Sequence, residues 1–240
     1  MNEFGGYEDP ISRAFWGPED LDEEPITYPT FSLESSEDLP KSIKTFVIIS
    51  GNVGTDIMNR YIISNAEKVC TINSSEEFNV AAFYKLDNDI YVCHIAQSID
   101  ITCAGRFVET ISDTIKKSER VFVFTETKMY ELANFEANNI NEPTLWRSLS
   151  NQKGKEIESN KVSALKNPNY IVGVAAGVIG LTEMLDIPAI LYILYVSEDA
   201  YNIEKRKAML KLFAKVTKYP IPKIEPDSTT FDNNKLKLYT

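Results

Sequence analysis

The chain of 240 residues contains a single histidine, His94, so a metal site built on two or three imidazoles is excluded within it. Its three cysteines, Cys70, Cys93 and Cys103, include no C-x-x-C pair. An odd count at this spacing does not outline a secreted disulfide framework, and a reducing compartment is the simpler setting. The first residues, Met-Asn-Glu-Phe-Gly-Gly, lack the basic start and apolar run of a secretory signal. No apolar run is long enough for a bilayer. The most apolar zone, Tyr170 to Val196, is broken by Glu183, Asp186 and Pro188 into pieces too short for a core of ~30 Å. Neither G-x-G-x-x-G nor a G-K-[ST] ending occurs. Clustered basic charge in excess of acid, which a duplex binder needs to displace counterions, is also missing.

The charge that is present is uneven. Net charge is −10, and residues 1–40 hold eleven acids against one base, Arg13. The other 200 residues carry as many bases as acids. The first forty residues include five prolines and show no sustained period of 2 or 3.6. They read as a disordered acidic arm, because such a segment cannot bury enough apolar surface to offset its ordering entropy. Its isolated aromatics (Phe4, Tyr7, Phe15, Trp16, Tyr28, Phe31) leave two uses open, a solubilising tail or a docking segment.

From Lys41 the pattern becomes that of an α/β body. Thr45 to Ser50 reads as a buried strand ending in the turn Gly51-Asn52-Val53-Gly54, followed by a helical face at Ile57, Met58, Tyr61 and Ile62. Val80 to Leu86 and Ile90 to Ala96 flank Asp87-Asn88-Asp89 as a hairpin. Ala104, Phe107, Val108, Ile111 and Ile115 mark one face of a helix, and Val121 to Thr125 the next strand. Residues 126–142 are mixed and polar, and residues 150–161 read as an exposed loop. Ile171 to Leu185 is read as a helix despite Gly173, Gly177 and Gly180, which would let it pack closely on a sheet. Ile187 to Val196 is a buried strand with Pro188 at its start. Ala200 to Lys218 is a basic amphipathic helix whose apolar side is Ile203, Met209, Leu210, Phe213 and Val216. The fold expected is a three-layer α/β body with a mixed, mostly parallel sheet containing one hairpin. Its domains are the arm 1–40, the body 41–226 and a flexible tail 227–240.

Four places invite chemistry. Ser50 to Thr55 places backbone amides at a helix start, where an anion can sit. No lysine follows to neutralise a phosphate, so a structural turn is the plainer reading. Cys93 and His94 are adjacent on a strand and face opposite ways, so they cannot pair there. The basic helix from Glu204 through Lys218 can touch an acidic partner, or simply present a solvated face. Last comes the carboxyl end, Leu238-Tyr239-Thr240, a hydrophobic residue, a tyrosine and a free carboxylate on a polar tail. An aliphatic plug, a hydroxyl-bearing ring and a terminal charge suit capture in a pocket.

Several stretches together resemble the proteasome assembly chaperone 1 family. They are Ile187-Pro188-Ala189-Ile190-Leu191-Tyr192 after Asn167-Pro168-Asn169, Lys44 to Asn52, Phe83-Tyr84-Lys85-Leu86, Leu145-Trp146-Arg147-Ser148-Leu149 (similar to that family's mid-chain helical segment), and the ending Leu238-Tyr239-Thr240. The resemblance implies a non-enzymatic chaperone that pairs with proteasome assembly chaperone 2 on the outer face of the proteasome α-ring. There it would help order α-subunits and hinder wrong ring pairing. It implies Leu238 as the hydrophobic anchor, Tyr239 as the specificity residue, and the Thr240 carboxylate as the charge for an α-subunit lysine. No cofactor, no nucleic acid and no membrane span are expected. The setting is cytoplasmic, with the nucleus or the endoplasmic reticulum as further sites of association. The rival is an enzyme, a nucleoside- or nucleotide-binding or phosphorylase-like α/β protein using Gly51 to Thr55. A third reading makes the acidic arm the docking element.

Overall fold

A computed structural model describes residues 28–35, 39–77, 79–87, 89–133, 142–158, 162–197 and 202–220. In these residues one sheet of eight strands has the order β1-β3-β4-β5-β2-β6-β8-β7. The strands are β1 (Phe31–Ser35), β2 (Thr45–Ile49), β3 (Glu67–Ser74), β4 (Ala81–Asp87), β5 (Ile90–Ile95), β6 (Val121–Lys128), β7 (Thr144–Ser150) and β8 (Ala189–Val196). Five helices accompany them: α1 (Asn52–Ile57), α2 (Ala104–Lys116), α3 (Gly154–Ile157), α4 (Gly173–Met184) and α5 (Asn202–Thr217). A π turn, Met58–Ile62, continues α1.

The middle of the sheet follows from composition. Every residue of β2, β5 and β8 is buried. Such strands can run as continuous apolar stretches because helices cover both faces. On one face α2 and α4 close over Phe46, Ile48, Phe83, Val123 and Leu191. On the other, α1 and α5 close over Val47, Ile49, Phe122, Phe124 and Tyr192. The three layers expected from the sequence are present.

The sheet is mixed, as expected, and its balance is the reverse of the expectation. Four of its seven pairings are antiparallel, and only β5–β2, β2–β6 and β6–β8 are parallel. Three strands account for the difference. β3 is more than half polar, so its sequence carries no strand signal. β7 is Leu145 to Leu149 and its neighbours, similar in sequence to a helical segment; here it pairs with β8 along its whole length. β1 falls inside the stretch 1–40 read as a disordered arm, and forms the sheet edge through Phe31, whose ring meets Phe107 of α2 edge-on at 5.5 Å. Residues 1–27 and 221–240 lie outside the described residues. Among the described residues no helix is long and apolar enough to cross a membrane.

Glycine in α4 serves a different contact from the one expected. A Cβ on Gly177 would sit 3.0 Å from Val108 of α2, so the glycine lets two helices approach, while Gly173 and Gly180 face open space.

The corner joining β7, α3 and β8 is held by one buried amide. Asn151 donates from Nδ2 to the carbonyl of Ile187 at 2.7 Å, and its Oδ1 accepts from Gly154 N at 2.7 Å and Ala189 N at 3.0 Å. Asn151→Ala leaves three backbone groups, two of them buried, without that partner. A loss of about 2–3 kcal/mol is expected in urea unfolding; a change below about 0.5 kcal/mol would show that the corner holds without it.

Candidate functional site

The carboxyl ends of β2, β6 and β8 lie side by side, and in open α/β sheets that edge is where ligands bind. β2 runs out through Ser50 into Gly51, at φ 94°, and α1 begins at Asn52. The positive φ favours glycine, and space demands it as well. A Cβ at position 51 would lie 2.7 Å from Cγ of Glu126.

Glu126 is the centre of this edge. The backbone N–H groups of Asn52 and Val53 donate to its Oε1 and Oε2 at 2.8 and 2.7 Å. These are unsatisfied donors of a helix start, with the positive end of the helix dipole behind them. The amides that the sequence marked as an anion seat are thus occupied by a carboxylate from β6, 74 residues away. A phosphate would have to displace it, and no lysine of a G-K-[ST] motif stands ready to compensate. Three clefts of 710, 460 and 380 Å³ meet the edge, and Glu126 lines all three.

Behind this edge two partly buried polar contacts, Arg206–Asp56 and His94–Thr55, tie the helices down. Arg206 of α5 is 2% exposed and donates from Nη1 to Oδ2 of Asp56, at 3.0 Å. The other oxygen of Asp56 takes the Arg60 Nε. The basic helix expected to present a solvated charged face therefore buries one of its charges. The signal was in the spacing: Arg206, Met209, Leu210 and Phe213 fall at i, i+3, i+4 and i+7, so the arginine sits on the apolar stripe. For Glu126 no local pattern existed, since the contact joins two distant segments.

His94 is 3% exposed, and its Nε2 lies 3.1 Å from the Thr55 hydroxyl. Burial lowers its pKa to about 4, so the ring is neutral at pH 7. Cys93 faces the opposite core, as strand alternation requires, and burial pushes its thiol well up; Cys70, two strands away on the same face, is raised to about 11. These thiols are protonated and sheltered, which is unlike a nucleophile. Leu238, Tyr239 and Thr240, the sequence's chief site, lie outside the described residues.

No family model matches the sequence, and no curated protein sequence matches it. Solved structures do. The fold is similar to that of Pyrococcus furiosus PbaA, described as an archaeal homolog of proteasome-assembly chaperone, with a TM-score of 0.61 at 14% identity, covering 80% of this chain and 84% of that one. It is similar to Pyrococcus furiosus PbaB, described as an archaeal proteasome activator, with a TM-score of 0.58 at 12% identity over 80% and 91% of the two chains. A Thermoplasma acidophilum protein of unknown function matches with a TM-score of 0.58 at 12% identity, over 77% and 79%. The chain shares the fold of these three proteins. At such identities the likeness is one of fold, and it does not single out chaperone 1 among related proteins.

Two outcomes are expected from this site. Asp56→Ala strands the buried Arg206 without its carboxylate. It should cost about 2–3 kcal/mol in urea unfolding, below the usual cost for a fully buried pair because Asp56 is a third exposed. Stability should also fall with acid. The unfolded histidine takes a proton near its ordinary 6.5, and the folded one only near 4. His94 therefore contributes nothing to the pH dependence above that window, and stability drops as pH falls through it. The slope is about 1.4 kcal/mol per pH unit, and the total about 3 kcal/mol. Denaturation curves of His94→Gln should be flatter than the parent's by that amount between pH 7 and 4; parallel curves would refute the assignment.

Proposed function

We propose that this chain is a non-enzymatic factor for proteasome assembly. In this reading residues 41–226 form a body that pairs with proteasome assembly chaperone 2. Residues 227–240 form a tail that delivers Leu238, Tyr239 and Thr240 into a pocket between α-subunits. One observation carries the reading: in a body with the fold of assembly-chaperone homologues, the place where an α/β enzyme would seat an anion is filled by the protein's own Glu126.

The physical logic is that of a tethered plug. A three-residue contact is weak alone. Once the body is docked, a tail of fourteen residues holds that contact at a high effective concentration, and the two contacts reinforce each other. Leu238 supplies apolar area, Tyr239 adds ring area with a hydroxyl to be satisfied, and the Thr240 carboxylate seeks a lysine or a cluster of amides. The neutral body and the polar tail fit this division of labour.

Deleting Leu238 to Thr240 should weaken binding to assembled α-subunits by about tenfold to a hundredfold while leaving the unfolding curve and the pairing with chaperone 2 unchanged. Tyr239→Ala should act in the same direction. Equilibrium binding to purified α-rings measures this; full-strength binding by the truncated chain would overturn the tail's role, and loss of pairing with chaperone 2 would show a different one.

A further inference from the structure

Four of the six large apolar side chains exposed among the described residues gather at the carboxyl edge of the sheet. Ile101 lines the 460 Å³ cleft, Tyr170 the 380 Å³ cleft, and Val172 both. Tyr130 adjoins Glu131, which the 380 and 710 Å³ clefts share. Each of the four exposes more than half of its surface. Apolar side chains scattered singly over a surface are ordinary, whereas a cluster of them rimmed by polar groups marks a contact with another protein.

The charge beside this cluster is one-sided. Four cationic side chains and three carboxylates line the 710 Å³ cleft. All three carboxylates have donors already. Asp56 holds Arg60 and Arg206, Glu126 holds the amides of Asn52 and Val53, and Glu131 accepts the Thr127 hydroxyl. Among the described residues Lys128 and Lys205 are in no ion pair. Their charge is open to a carboxylate that comes from outside.

Size decides what kind of occupant fits. The three clefts meet at Glu126 and cross the ends of β5, β2, β6 and β8. About thirty residues line them, as many as one side of a standard protein–protein interface uses. Apolar anchors that include tyrosines, flanked by charge, have the make-up of an interface centre and its rim. The root of the tail lies elsewhere. α5 passes this edge at Lys205 and Arg206, and Thr217 is ~18 Å further along the helix. The edge is thus free for a contact other than the one proposed for Leu238 to Thr240.

We propose that the carboxyl edge is the face on which the paired chaperone docks. The partner brings aliphatic or aromatic side chains to Ile101, Tyr170 and Val172, and carboxylates to Lys128 and Lys205. This rests on the reading that the body pairs with a second chaperone, and it names the surface and the chemistry of that contact.

Equilibrium binding of the full chain to purified chaperone 2, and separately to purified α-rings, tests this. Ile101→Ser with Tyr170→Ser should weaken pairing with chaperone 2 by at least about tenfold, as loss of interface anchors does. Lys128→Glu with Lys205→Glu should weaken it about fivefold or more, chiefly through slower association, and flatten its salt dependence. Met184→Ser, an exposed apolar residue at the far end of α4, should pair like the parent. All these side chains but Lys205 are exposed, and unfolding curves of the variants should overlay the parent's. In the parent pair, acetylation of Lys128 and Lys205 should slow about threefold, as for lysines at an interface rim, and that of Lys68 on β3 should not change. A parent chain that does not pair with chaperone 2 would overturn both this inference and the function it rests on. A parent that pairs while the edge variants pair at full strength, or acetylate at unchanged rates in the pair, would overturn the inference alone. Edge variants that lose α-ring binding and keep the pairing would assign the edge to the ring and overturn it as well.

Discussion

The carboxylate of Glu126, seated on the amides of Asn52 and Val53, governs what the carboxyl edge of the sheet can do. A strand–glycine–helix junction offers donors and a favourable dipole to any anion that fits. Here the anion is part of the chain and is present before any ligand arrives. Its position sets Gly51 as a residue without a side chain, links β6 to α1 across the edge, and divides the surface into three clefts rather than one deep pocket. An edge used this way has its helix-start donors satisfied from within, which suits a body that docks more than one that turns over a phosphate.

The same economy of polar groups runs through the interior. The Arg206–Asp56 contact is a poor source of net stability, since desolvating an arginine offsets most of the attraction. Its value is positional, because it pins α5 over α1 at one register on a face otherwise made of aliphatic and aromatic side chains that could slide. Asn151 does similar work at the opposite end of the sheet, where it satisfies backbone groups at the corner between β7, α3 and β8. His94 adds a neutral ring against Thr55. Asp56, Asn151 and Thr55 each meet a partner from another element, and each contact marks where two elements must meet.

How much of this could be read from the residues depends on burial. β2, β5, β6 and β8 were legible as apolar runs because both their faces are covered, and α2 because its buried residues keep a helical period. β1, β3 and β7 were not, since an outer strand is half buried and its alternation is diluted by polar residues. Missing those three left the sheet looking mostly parallel. At the site, the turn at Gly51 was visible and its occupant was not, because Glu126 arrives from another strand and periodicity carries no information about such a contact. Arg206 was missed, because the helix was taken to present a solvated charged face, although its spacing places the charge on the apolar stripe. The proposed anchor, Leu238 to Thr240, rests on its residue types and on family resemblance, and the fold shared with PbaA and PbaB gives that resemblance its physical context.

The central claim is that this edge is filled from within and serves docking. Its most direct test is thermal unfolding of the full chain against a panel of nucleosides, nucleotides and inorganic phosphate at millimolar concentration. The account predicts no saturable rise in Tm with any of them. A saturable rise with a nucleotide or with phosphate would contradict it, because the ligand would then have taken the amides that Glu126 is held to occupy.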